Sequence, residues 1–218
     1  MRKENYFSRE NIASEAEAMA SLLSLNRRAA PYSPEKSALL VIDMQRYFLC
    51  QDSHAFLPAA PAIVPNVQAL ITAFKTASRP VYFTRHANSP RDAGQMASWW
   101  RELLAADHPL GGIEAGLLPP GAPVIEKTQY DAFYHTDLEL RLRHENVERL
   151  LITGVTTHLC CESTARSAFM RGFAVFMAID GTATINRELH IASLRALAHG
   201  CAVPLLTADL LAAMAKAS

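Results

Sequence analysis

The sequence predicts a doubly wound α/β fold, one mostly parallel six-stranded sheet with helices on both faces. Three observations carry this. After Pro34, short apolar, β-branched runs alternate six times with longer helix-periodic segments, as consecutive β/α units do. The runs Leu39-Leu40-Val41-Ile42 and Leu150-Leu151-Ile152 are continuous rather than alternating, as strands buried on both faces are. The 218 residues are 50% hydrophobic, and a chain of that length buries roughly 70% of the surface its unfolded form exposes, needing neither disulfides nor a structural metal.

In chain order, the first element is an amphipathic helix over residues 9–28. Ile12, Ala16, Met19 and Leu23 recur there at helical spacing, with Glu10, Glu15 and Glu17 between them. It ends before the proline-bearing connector at 29–34, and its apolar stripe suits either the domain or a second subunit. The expected organisation is an N-terminal helical extension, 1–34, followed by one domain, 35–218. Strands are predicted at 37–43, 80–85, 123–126, 149–154, 173–180 and 201–207. Helices are predicted at 65–78, 92–105, 137–145, 158–171, 187–199 and 208–216. Several boundaries are marked: Pro65 at a helix start, Thr136 with Glu139 as a capping box, Gly200 after a C-terminus, and Thr207 as an N-cap. The longest stretch without an element, 46–62, follows the first strand directly, and long loops in compact domains commonly serve sites.

Twenty-one basic residues balance 21 acidic ones, with no Lys or Arg run, so nucleic acid and anionic membrane are not expected partners. Cys50, Cys160, Cys161 and Cys201 form neither a disulfide framework nor a C-x-x-C zinc pattern, which fits a reducing cytoplasm. Residues 1–10 lack the apolar core of a signal peptide, and no stretch approaches the roughly 20 apolar residues of a membrane span.

In an open parallel sheet, ligands bind outside the carboxyl ends of the strands. The polar residues delivered there are Asp43, Arg85 and His86, Lys127, Thr156 through Cys160, Asp180 and Thr207. An acid, a cation and a thiol on three strand ends is a set suited to acyl transfer. Asp180, followed by Gly181, reads as a turn or cap residue. Along the helix after the fourth strand, Cys161, Ala165, Ala168, Phe169 and Gly172 share the core stripe. Cys160 heads another with Thr164, Ser167 and Arg171, in the first turn, where unpaired amides and the helix dipole favour a thiolate. Cys160 is thus the better nucleophile candidate, and Cys161 the structural one.

Three segments carry a family resemblance. Val41-Ile42-Asp43-Met44-Gln45 resembles the first-strand signature of the isochorismatase-like cysteine hydrolases. Residues 126–133, Glu-Lys-Thr-Gln-Tyr-Asp-Ala-Phe, resemble that family's lysine motif. Residues 152–161, Ile-Thr-Gly-Val-Thr-Thr-His-Leu-Cys-Cys, resemble its cysteine motif. The family includes nicotinamidases, N-carbamoylsarcosine amidohydrolase and ureidoacrylate amidohydrolase, and the segments stand in family order over 37–207.

The resemblance implies a Rossmann-like three-layer fold and a catalytic triad of Asp43, Lys127 and Cys160. It also implies a cis Val155–Thr156 peptide and an oxyanion hole from the backbone N–H groups of Thr156 and Cys160. The implied chemistry is hydrolysis of a non-peptide C–N bond, amide, carbamoyl or ureide, in a small molecule through a thioester. Family isochorismatases cleave a vinyl ether and commonly carry Gly at the position of Cys160. Vinyl-ether hydrolysis and a non-catalytic or redox-sensing role are the alternatives. Phe48, Arg85, His86, Trp99, Trp100 and Tyr130 are candidate substrate contacts, with Arg85 and His86 suited to a carboxylate. Nicotinamidases hold a divalent metal through Asp-x-His after the second strand. This chain reads Thr84-Arg85-His86-Ala87-Asn88 there, so neither metal nor cofactor is expected, and Asp52-Ser53-His54 reads as a coincidental loop pair. Asp131 stands where Ser is commoner, a change expected to affect loop contacts or the pocket rim. Family members are commonly homo-oligomers, so the resemblance implies a dimer or tetramer.

Overall fold

A computed structural model describes residues 2–24 and 31–216. The strands are β1 Ser37–Ile42, β2 Val81–His86, β3 Val124–Lys127, β4 Arg149–Val155, β5 Ala174–Ala183 and β6 Ala202–Leu205. They form one sheet in the order β3-β2-β1-β4-β5-β6, with every pairing parallel. Flanking it are α1 Ile12–Ser21, α2 Arg46–Leu49, α3 Ala60–Thr76, α4 Met96–Trp99, α5 Leu138–His144, α6 Glu162–Met170, α7 Arg187–Gly200 and α8 Thr207–Lys216. All six residues of β1 are buried, as its unbroken apolar run requires. The chain steps outward from β1 to β3, then returns to the other side of β1 for β4. The ends of β1 and β4 therefore flank the point where strand order reverses, where open α/β sheets bind ligands.

The differences from expectation have local causes. The helix expected at 92–105 is a single turn, α4. Gly94 at φ +53° precedes it, and the chain leaves it extended at Trp100, ψ 153°, to run back over the sheet end. There Gly112 O accepts Arg46 N–H and Leu110 O accepts Tyr47 N–H. Pro65 lies inside α3 rather than at its start; Pro61, in the first turn, sets that start. The capping box does not form, because Glu139 is drawn to Arg143 and Arg171 while the Thr136 hydroxyl donates to Ala132 O. Gly200 is the last residue of α7 rather than the one beyond it.

Thr207 donates its N–H and hydroxyl, both at 2.7 Å, to Asp180 Oδ1, so Asp180 caps α8 from the end of the neighbouring strand. Phe169 and Gly172 face solvent at the end of α6, whereas Cys161, Ala165 and Ala168 are buried. Ala16 and Met19 of α1 are fully buried, and α1 lies against β5, so this stripe covers the chain's own sheet. The expected end of that helix, with part of the connector, falls outside the described residues. Among the described residues no helix is long and apolar enough to cross a membrane.

Candidate active site

Asp43 follows β1 directly with φ +47°, a left-handed backbone rare outside glycine. Lys127 ends β3, two strands away, and its long side chain spans the end of β2. Its Nζ lies 2.7 Å from Asp43 Oδ2, with both side chains fully buried. The same Nζ donates to Gln129 O at 3.0 Å and to Cys160 Sγ at 3.5 Å. Three distant stretches thus converge on one point at the sheet edge.

Burial alone would strip the Lys127 proton, but the Asp43 carboxylate and the Cys160 sulfur outweigh it and hold the ammonium's pKa above its ordinary value. The Cys160 thiol moves the other way. Burial, reinforced by Asp43, pushes it up to about 12 although Lys127 opposes the shift. This surrounding favours the thiol, against the pull toward a thiolate expected of a helix N-terminus. Thr157–Cys161 forms a π-helical turn ahead of α6, so Cys160 precedes that helix rather than sitting in its first turn. Cys161, fully buried, is raised too.

The backbone leading into that turn is tightly constrained. Gly154 has φ +108°, and a Cβ there would sit 2.0 Å from Ile42 O on the paired strand. The next peptide, Val155–Thr156, is cis. Thr164 and Ser167 of the Cys160 stripe are themselves buried: Thr164 Oγ1 accepts Ala132 N–H and Ser167 donates to Asp131 Oδ2, which docks the lysine-bearing loop on α6.

Beside Cys160 opens a cavity of about 370 Å³, whose wall includes Phe48, His86, Trp100, Tyr130, Thr156 and Cys160. Four of the six candidate substrate contacts reach it. Trp100 Nε1 donates to the Tyr130 hydroxyl at 2.9 Å, bridging the rim. Trp99, 77% exposed, faces solvent on the single turn of α4. Arg85 is also absent from the wall because side chains alternate across a strand. It points away from Thr84 and His86 and pairs with Glu126, its register partner on β3, and with Ala106 O.

Several residues at the site were not singled out by the sequence, although Gln45 lies within the first-strand motif. Thr84 bonds Asp43 twice. Gln45 clamps the backbone of His86, accepting its N–H at 2.8 Å and donating to its carbonyl at 3.0 Å. Lys3 and Ile185 join the wall from the N-terminal segment and the loop after β5. Two-residue spacing from His86 was the available signal for Thr84. His54 is taken up by Glu102 and Tyr47, and among the described residues no three His, Cys, Asp or Glu side chains group as a metal site.

Comparison with known proteins identifies the family of the chain. The family model described as "Isochorismatase domain" matches residues 37–209. Nicotinamidase 3 of Arabidopsis thaliana is 40% identical over 172 residues, 76% of this chain and 82% of that one. Enterobactin synthase component B of Escherichia coli is 32% identical over 86% of this chain, which spans only 66% of that longer protein. A cysteine hydrolase from Pseudomonas syringae has a crystal structure that superposes with TM-score 0.83 at 25% identity, covering 89% of this chain and 99% of that one.

Proposed function

Because the chain belongs to the isochorismatase family of hydrolases, we propose that it is a cysteine-dependent hydrolase of a C–N bond in a small molecule. The observation that carries this reading is the convergence of Asp43, Lys127 and Cys160 beside a cavity, with Lys127 Nζ at 2.7 Å from the carboxylate and 3.5 Å from the sulfur. The 40% identity to a protein named a nicotinamidase supports an amide, and nicotinamide is the first substrate to test.

Burial raises the thiol's pKa, which favours a route in which deprotonation accompanies attack. Asp43 takes the thiol proton as sulfur bonds to the carbonyl carbon, and the carbonyl electron pair moves onto oxygen. Lys127 pairs with the Asp43 carboxylate and stabilises the charge developing on sulfur. The backbone N–H groups of Thr156 and Cys160 receive the oxyanion. Asp43 passes the proton to the leaving nitrogen, the C–N bond breaks, and a thioester remains. Water, deprotonated by Asp43, then releases the acid. Phe48, Trp100 and Tyr130 wall the substrate.

The test is an ammonia-release screen over nicotinamide, other primary amides, carbamoyl compounds and ureides, with isochorismate as the contrasting substrate. Turnover of a C–N substrate that is lost in Cys160→Ala while the fold persists is the expected result. A fully active Cys160→Ala protein, or cleavage of isochorismate alone, overturns the reading.

A further inference from the structure

We propose that His86 determines substrate specificity: its Nδ1 is a bare acceptor that takes a hydrogen bond from an N–H or O–H group of the substrate beside the reacting carbonyl. This rests on the hydrolase reading for what the ligand is, but not for how His86 is held. Asn88 Nδ2 donates to the Thr128 carbonyl at 2.6 Å, and a carbonyl only accepts, so the amide orientation of Asn88 is fixed. Asn88 Oδ1 therefore faces His86 Nε2, at 2.6 Å, and that nitrogen must carry the proton. The remaining nitrogen, Nδ1, is buried and has no partner among the described residues.

A second proton on Nδ1 is disfavoured. Burial and the neighbouring Lys127 ammonium lower the His86 pKa, outweighing Asp43, Asn88 and Asp92, which act the other way. With Gln45 clamping its backbone, the ring is fixed as a neutral acceptor. Buried acceptors without partners are rare, and one on a cavity wall marks where a ligand donor belongs.

Position defines the donor's place. His86 pairs in register with Lys127 and lies on the same face of β2 as Thr84, which holds Asp43. The donor it meets therefore lies within a few bonds of the carbon attacked by Cys160. A lone pair there repels a carboxylate or a ring acceptor, the reverse of the carboxylate-binding role that sequence suggests for His86. Sites built to pair a buried polar group discriminate strongly against isosteres that leave it unpaired.

Pyrrole-2-carboxamide and furan-2-carboxamide test this, since they share ring size and the primary amide but present N–H or O beside the carbonyl. Binding is measured by calorimetry on the full chain carrying Cys160→Ala, where no turnover intervenes. The pyrrole amide should bind about tenfold tighter or more. Adding His86→Phe should bring the ratio near one, and Asn88→Asp, which places a carboxylate on Nε2 and favours the doubly protonated ring, should reverse it. Nitrogen-15 NMR of the histidine-labelled chain at pH 7.5 should show His86 protonated on Nε2 alone. Equal affinities, absence of binding by both compounds, a preference that survives His86→Phe, or a ring protonated on Nδ1 overturns the proposal. A donor preference in a protein that hydrolyses no amide would keep this inference and sink the hydrolase reading; ammonia release with no dependence on His86 would do the opposite.

Discussion

Thr84 holds Asp43 from two sides, accepting its backbone N–H at 3.0 Å and donating to its Oδ1 at 2.6 Å. A non-glycine residue at φ +47° is strained, by about 1–3 kcal/mol, and these two bonds offset the strain where the proposed base must point. Thr84→Val keeps the shape and removes both. We expect kcat to fall about 10–100-fold with KM little changed, and Thr84→Ser to restore most of it. Steady-state kinetics on the best substrate of the ammonia screen decide this; an unaffected kcat would make Thr84 merely structural.

The buried ion pair makes Lys127 a stability residue as well. Removing one partner leaves a charge sealed from water, which typically costs about 3–5 kcal/mol. Lys127→Met should therefore lower urea-unfolding stability by that order, while Cys160→Ala, which strands no charge, should cost less. The double variant Asp43→Asn with Lys127→Met should recover most of the loss, though not activity. If the single and double variants are equally unstable, the pair contributes only through packing.

The parallel sheet was legible because buried parallel strands read as continuous apolar runs; Asp43 and Lys127 were legible as the polar residues closing β1 and β3, and Cys160 from the segment that follows β4. His86 against Arg85 was not separated, although strand alternation already sets them on opposite faces, because motif reading ignores parity. The overcalled helix at 92–105 shows another limit. Its apolar residues have helical spacing, but Gly94 and the backbone bonds from the loop at 110–112 to α2 decide the path, and those partners are distant in sequence. Thr84, Gln45 and Asn88 act only through neighbours that the fold supplies.

Gly154 is required where β4 presses on β1. A methyl group there would meet Ile42 O at 2.0 Å, and φ +108° disfavours any other residue. Gly154→Ala must push the two central strands apart or shift the turn carrying Thr156. We expect a loss of more than about 3 kcal/mol, seen as a fall in Tm or as insoluble protein, with any soluble fraction showing depressed kcat. A variant of native Tm would mean that the strands part at little cost.

Acid should weaken the fold through His190. Its Nε2 donates to Ile179 O and its Nδ1 accepts from Thr157 at the start of the π-helical turn, and complete burial lowers its pKa to about 3. The folded state then binds fewer protons than the unfolded chain, whose histidine titrates near 6.5. Stability is full above that value and falls as pH drops toward 3, by about 1.4 kcal/mol per pH unit. His86 and His158, also lowered, add in the same direction. Urea unfolding between pH 7 and 4.5 should show this slope, and His190→Gln should make it shallower by about that amount.

The N-terminal segment forms part of the cavity wall, so shortening it should change binding before chemistry. Lys3 Nζ donates to the carbonyls of His54 and Phe56, in the loop after β1. Glu4 donates its N–H to Ile185 O at 2.9 Å, in the loop after β5, and accepts at 3.0 Å the N–H of Arg187, which opens α7. Residues 3 and 4 therefore tie together two loops that face each other across the site, and Lys3, His54 and Ile185 all line it. Tyr6 and Phe7, buried beside His190, anchor the segment from the other end. Deleting residues 2–5 keeps that anchor and cuts the tie. Nothing in the deletion touches Asp43, Lys127 or Cys160, so kcat should stay within about threefold while KM rises about tenfold, the pattern of lost uniform binding. Tm should change little, because the large buried side chains remain. A drop in kcat with KM preserved would instead mean that the segment orders the turn bearing Cys160, acting through the bond between the Tyr6 hydroxyl and Thr184 N–H.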